Sequence, residues 1–266
     1  MDGQLALLFA LTFVINLVGS LAYSVRIAGV RTLRIAVSLS LFNILLLVSR
    51  TANSFQAPIL AKRVESSLGV VGKAAVTDFR WLLAAASLAT VVGAILTPTC
   101  QRLFTRAVEK FAADRSLGRL VLRLFSPAGF ATVRDAVAAP SMKTAVAATT
   151  GPSLPAGVVV VNVLATAIWT VGVLASLYAG YLEPGLRATS SNLSGIINGV
   201  ATILLFVVVD PHLSLVTDDV LGGKTSEAFF RRSVVWMLGS RLLGTILAQF
   251  LLVPAATVIA TVAGWL

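Results

Sequence analysis

Two arginines lie where a guanidinium is costly. Arg50 sits within the apolar stretch from Ile35 to Leu60, and Arg241 within the stretch from Trp236 to Trp265. An ionised side chain at membrane depth costs several kcal/mol unless it is paired, solvated or able to snorkel. The chain has 11 acidic residues, and all of them fall in polar links or at the ends of apolar runs, Asp210 among the latter. Neither arginine therefore has a carboxylate partner on a neighbouring helix, and two cations without counterions call for an anion supplied by a substrate. Arginine suits that role because its planar fork takes phosphate oxygens two at a time.

Polar side chains extend each arginine into a stripe. Arg241, Thr245 and Gln249 are spaced i, i+4, i+8, and Asn43, Arg50 and Asn53 are spaced i, i+7, i+10, so each set shares a helix face. Thr245, Gln249, Asn43 and Asn53 are thus candidate secondary donors to the same anion. Arg26, Arg31 and Arg34 form a basic cluster that would draw an anionic head group to the mouth of such a site, at about 1 kcal/mol per charge near the surface. The competing reading is ordinary: Arg241 is only about 7–8 Å of helix from Trp236 and could snorkel, the uncharged groups could serve interhelical hydrogen bonds, and the cluster could simply set topology. Thr12 and Asn16 add a shorter polar stripe to the first run, while Gly195 and Gly199 make a small-xxx-small pair suited to close helix contact.

What is missing narrows the chemistry. No G-x-x-x-x-G-K-[ST] loop is present for nucleotide hydrolysis and no H-E-x-x-H for a metalloprotease. His212 is the single histidine and Cys100 the single cysteine, so a zinc site, an intrachain disulfide and a two-histidine phosphatase are excluded. No catalytic residue, metal or cofactor is expected.

The elements that carry these residues are membrane helices. Of 266 residues 57% are hydrophobic and 12% charged, with a mean hydropathy of +0.92, far above an ordinary soluble domain. The apolar runs are long and do not alternate in polarity, which excludes a barrel. Six spans are expected in one integral membrane domain, 1–266, at about 5–25, 35–60, 81–99, 158–182, 193–209 and 236–265. The first follows no basic region and reads as a retained span. Between spans three and four, residues 101–153 show apolar residues at helical spacing with basic residues interleaved, the pattern of amphipathic helices lying on a membrane surface. The expected fold is therefore all-α and polytopic, with interfacial helices in that segment.

The net charge of +10 fits positive loops facing anionic phospholipid and not nucleic acid. Links one, three and five hold 14 basic residues and links two and four hold 5, so the odd links are assigned to the cytoplasm and both termini outward.

Three segments carry a resemblance: LTFVINLVGSLAYSVRIAGVRT (11–32), SLFNILLLVSRTANSFQAPILA (40–61) and GSRLLGTILAQFLLVPA (239–255). They are similar to the Amj family of alternate lipid II flippases. The resemblance implies a multi-pass protein of the bacterial cytoplasmic membrane that moves the undecaprenyl-diphosphate-linked peptidoglycan precursor from the inner to the outer leaflet. It assigns no substrate residues, so the site residues above rest on charge alone. An anion channel, a carrier of another polyprenyl-phosphate lipid, a scaffold and a lipid-modifying enzyme are the rival functions. Six spans make a small wall around a bulky head group, so a two-fold homodimer is expected.

Overall fold

The computed structural model describes residues 2–67, 74–114, 126–139 and 154–266. Among these residues the chain is entirely helical, without strands, and six helical runs are long and apolar enough to cross a membrane. The long helices are α1 (Gly3–Thr32), α2 (Ile35–Ser67), α3 (Ala74–Asp114), α5 (Ala156–Leu182) and α8 (Glu227–Trp265), with a short α4 (Pro127–Ala136) before α5. The fifth crossing is composite. A single 3-10 turn (Pro184–Leu186) leads into α6 (Arg187–Leu204), a π-helical turn (Leu205–Val209) and α7 (Asp210–Leu221).

Local chemistry explains the boundaries. The Asp2 side chain caps α1 by accepting the Leu5 N–H at 2.8 Å. That bond and the Arg63 guanidinium beside it hold the Asp2 carboxyl below the usual carboxylate range. Helix α1 stops where Leu33 turns left-handed (φ 56°) and Arg34 N–H bonds back to the Gly29 carbonyl, a Schellman-type ending in which leucine does what glycine usually does. Ser226 caps α8 through the Phe229 N–H, with Glu227 in the first turn, and Gly223 (φ +70°) follows the end of α7.

Helix α3 does not stop at Thr99 but continues as one helix to Asp114, so the first part of the expected amphipathic segment is an extension of the third crossing. Residues 115–125 and 140–153 of that segment lie outside the described residues.

Two apolar clusters mark the two ends of the bundle. One joins Leu5, Leu60, Phe79, Tyr178, Leu193 and Ile259, that is, the starts of α1, α3 and α6 with the ends of α2, α5 and α8. The other joins Val30, Val158, Val216 and Phe230, the end of α1 with the start of α5, α7 and the start of α8. Successive crossings therefore run antiparallel. Within this frame α1 packs chiefly on α3 and α2, and α5 chiefly on α8 and α6, while α3 meets α8. The first set of three crossings starts at the Asp2 end with α1 and the second set starts at the opposite end with α5, so one packing scheme recurs in inverted sense, the construction familiar from secondary transporters.

Glycine lets the main pairs close in the same way in each half. A Cβ on Gly93 of α3 would lie 2.5 Å from Ser20 Cβ of α1, and one on Gly244 of α8 would lie 2.6 Å from the Val163 carbonyl oxygen of α5. Close backbone approach is a main source of helix affinity where lipid is as apolar as the side chains. Gly244→Ala is expected to cost about 1–3 kcal/mol through overpacking against backbone, whereas Gly239→Ala, whose Cβ would meet nothing within 4 Å, should be near neutral. Reversible unfolding in mixed micelles measures both; equal stability of the two variants would contradict the α5–α8 contact.

Candidate functional site

Between the two apolar clusters lies a cavity of about 490 Å³ lined by α1, α2, α5, the π turn with the start of α7, and α8. The α1 wall follows a regular stripe: Thr12, Asn16, Gly19, Tyr23 and Arg26 stand at i, i+4, i+7, i+11 and i+14, which keeps one face of the helix towards the cavity for four turns. The α2 wall follows a second stripe, Leu39, Phe42, Leu46, Asn53 and Gln56, with Arg50 reaching in from its flank. Helix α5 contributes Asn162 and Thr170, and α8 contributes Arg241.

Charge is concentrated here. Arg26, Arg50 and Arg241 line the cavity with one carboxylate, Asp210, a formal balance of three minus one, or +2. Arg26 Nη2 donates to Asp210 Oδ1 at 2.8 Å. Arg241 has no carboxylate within ion-pair distance among the described residues, and its buried Nε lacks a hydrogen-bond partner. Its guanidinium lies over Gly19 of α1, where an added Cβ would overlap Nη2 and come within 3.0 Å of Cζ. Beside it Asn162 Nδ2 donates to Ser240 Oγ at 2.7 Å and to the Met237 carbonyl at 3.3 Å, locking α5 to the turn of α8 that presents Arg241.

Hydrogen bonds and ion pairs close both ends. Gln56 Nε2 donates to Thr12 Oγ1 at 2.7 Å between α2 and α1, with both side chains buried. Beyond it Arg63 bridges Asp2 and Asp78 at 2.8 and 2.7 Å. At the opposite end Arg26 holds Asp210, and Arg31 holds Glu227 at 3.3 Å. One side is left open. The packing of α2 is on α1, α3 and α5, and the cavity rim facing α6 is formed by exposed Arg50 and Asn53 on one side and exposed Phe206 and Trp169 on the other. A polar chamber with cations inside thus opens sideways, past Arg50 and Asn53 on one side and the apolar Phe206 and Trp169 on the other.

The site residues inferred from sequence separate into two groups. The cavity brings together Arg26, Arg50, Asn53 and Arg241. Asn43, Thr245, Gln249, Arg31 and Arg34 are not among its lining residues. Asn43 is exposed on α2, about 100° round the helix from Phe42. Thr245 is buried and donates to the Leu242 carbonyl at 2.8 Å, while Arg34 is exposed at the α1–α2 link. Several polar lining residues went unassigned, among them Tyr23, Ser49, Gln56, Asn162, Thr170 and Asp210. Asn162 had a visible signal, since it is the single amide in the run from Val158 to Leu182. Asp210 corrects the expectation that it merely ends a span, because the helical run continues through the π turn and Pro211 to Leu221 and carries Asp210 into the cavity.

Gly19 provides a test that leaves every polar group in place. The atom it would displace is the far end of a flexible side chain, so Gly19→Ala should leave the apparent melting temperature within about 2 °C of the parent. Affinity for geranylgeranyl diphosphate, an anionic probe with an apolar tail, should fall about tenfold as the guanidinium is pushed aside. Unchanged affinity in a calorimetric titration would show that Arg241 does not bind anions from this position.

Comparison with known proteins gives the lineage. The family described as Amj, Alternate to MurJ, matches residues 11–263. A relative from Bacillus subtilis (strain 168), named Lipid II flippase Amj, is 36% identical over 267 residues, covering 98% of this chain and 97% of its own. No solved structure matches the chain. A match of the family over nearly every crossing, joined to a relative aligned along almost the full length, places this chain in the Amj family.

Proposed function

We propose that the protein is a transporter, not an enzyme, that carries lipid II between the leaflets of the bacterial cytoplasmic membrane, bound by its diphosphate. The observation that carries this reading is the laterally open chamber with three guanidinium groups and one carboxylate. A diphosphate bonded at both ends has about one negative charge per phosphoryl group, which balances the +2 of the chamber. The polyprenyl tail stays in lipid, leaving between Arg50 and Phe206. The name of the Bacillus subtilis relative supports lipid II as the cargo. Arg241 and Arg50 take the diphosphate, Arg26 meets it nearest the basic end, and Asn53 and Asn16 add uncharged donors. Asn43, Thr245 and Gln249 shape the helix surfaces beside the chamber, while Arg31 and Arg34 draw the head group to its mouth.

The same reading orients the chain. Links one, three and five, with the described basic residues Arg31, Arg34, Arg102, Arg106, Lys110, Lys224, Arg231 and Arg232 among or beside them, face the cytoplasm and its anionic phospholipids. Helix α4, a described part of the expected interfacial segment, lies along that surface. Gly195 and Gly199, whose Cβ positions meet nothing within 4 Å, leave one face of α6 free for the two-fold contact of a homodimer.

Two measurements test this. In proteoliposomes with fluorescent lipid II, Arg241→Lys and Arg50→Lys should flip about tenfold more slowly than the parent, because an ammonium cannot reproduce the bidentate fork, and the alanine variants should be slower still. Normal flipping by both lysine variants at equal protein content would remove the arginines from the site. For orientation, with Cys100 replaced, cysteines introduced as Gly3→Cys and Gly185→Cys should react with an impermeant maleimide in intact cells and Lys224→Cys should not; the reverse pattern would invert the topology.

A further inference from the structure

We propose that Asp210 is the resident anion of the cavity: it occupies Arg26 while the chamber is empty, gives that guanidinium up to one phosphoryl group of the incoming diphosphate, and retakes it to eject the cargo. This deepens the reading of the chamber as a prenyl-diphosphate site and rests on it.

The ion pair has the geometry of an exchangeable contact. Arg26 Nη2 and Asp210 Oδ1 are 2.8 Å apart, but the pair is not sealed, since the Arg26 side chain is 20% and the Asp210 side chain 41% exposed. Both residues line the chamber, and Asp210 is the single carboxylate that does so among the described residues. A phosphoryl oxygen entering there meets the same donors that Asp210 uses, with the two anions competing for one planar fork. Asp210 and a phosphoryl group cannot both be held closely by Arg26 without like-charge repulsion, so binding and release become an exchange of partners.

The backbone at Asp210 is built to yield. The Leu205–Val209 segment is a π turn, Asp210 N–H reaches back to the Leu205 carbonyl, and the next residue is Pro211, which has no N–H to give to the turn before it. Such interruptions are the recognised weak points of long helices and are frequent at functional sites. The same ion pair joins α1 of one half of the inverted structure to α7 of the other. Its release therefore removes one of the two ion pairs that join the halves at the basic end just when the substrate is seated.

The test uses the full chain in nanodiscs with undecaprenyl diphosphate, and inorganic diphosphate as a second arm. Removing the competitor should tighten binding and slow release, so Asp210→Asn should bind undecaprenyl diphosphate about tenfold more tightly and flip fluorescent lipid II several-fold more slowly, while Asp210→Glu stays near the parent and Arg26→Gln binds about tenfold more weakly. A second readout needs no variant. Carbodiimide labelling of Asp210 in the native protein, followed by peptide mass spectrometry, should rise several-fold when undecaprenyl diphosphate is added, with Asp218 and Asp219 unchanged. Asp210→Asn binding no more tightly than the parent, or labelling that stays level or falls, overturns the exchange. Failure of the parent to bind undecaprenyl diphosphate at all, or equal binding of inorganic diphosphate, overturns instead the lipid-carrier reading on which the exchange rests.

Discussion

A guanidinium held at membrane depth without a carboxylate partner is the constraint around which this bundle is organised. Arg241 stands 14 residues into a 39-residue helix, and no carboxylate among the described residues pairs with it. A charge in that position is tolerated only if polar surroundings replace bulk water. The structure provides them from four other helical runs at once, each contributing at least one side chain to a common chamber. The Gly19 surface of α1 and the Asn162–Ser240 bond between α5 and α8 then fix where the cation lies. What would be a defect in a core becomes a site because the surrounding helices leave room on one side of the guanidinium.

The inverted arrangement of the two halves explains why a polar chamber can exist without unravelling the bundle. Each half is tightened by its own glycine-mediated contact, Gly93 on α1 and Gly244 on α5. Two apolar clusters reach the two ends, and a third, Val18, Val25 and Phe42, packs α1 on α2 beside the chamber, so apolar packing surrounds the polar lining along its length. Helices α2 and α6 occupy corresponding places in the two halves, each packed on its own central helix, and the side opening lies between α2 and the π turn that follows α6. A lipid needs that geometry, because its head must leave the hydrocarbon layer while its tail does not.

The ends are tied differently. At the Asp2 end the Asp2–Arg63–Asp78 cluster joins three helices of the same half, and Arg187 with Glu65, at 3.7 Å, is the longer contact across halves. At the basic end the pairs Arg26–Asp210 and Arg31–Glu227 both cross from one half to the other. Ion pairs of this partly exposed kind contribute modestly to stability. They are suited to being made and broken, and they concentrate the cross-half connections at the end richest in arginine and lysine.

Hydropathy and charge alone determined a good deal: six crossings, an all-helical fold and the isolation of Arg50 and Arg241. These properties depend on composition within a window of one helix, and such a window reads them directly. Which side chains share the chamber was decided by the tertiary structure. Spacing placed Asn43 on the same stripe as Arg50 and placed Thr245 and Gln249 on that of Arg241, but a stripe says only that residues share a face, not how far that face follows the cavity. Helix α8 touches the chamber at Arg241 and then turns its Thr245 side inward to pack. Asn43 lies only about 20° round α2 from Arg50, yet its shorter side chain is exposed and is not part of the chamber lining. Asp210 was hidden for a different reason. The apolar run ends at Val209, yet a π turn and Pro211 carry the helix onward, and only the packing of that continued helix against α1 brings the carboxylate to Arg26.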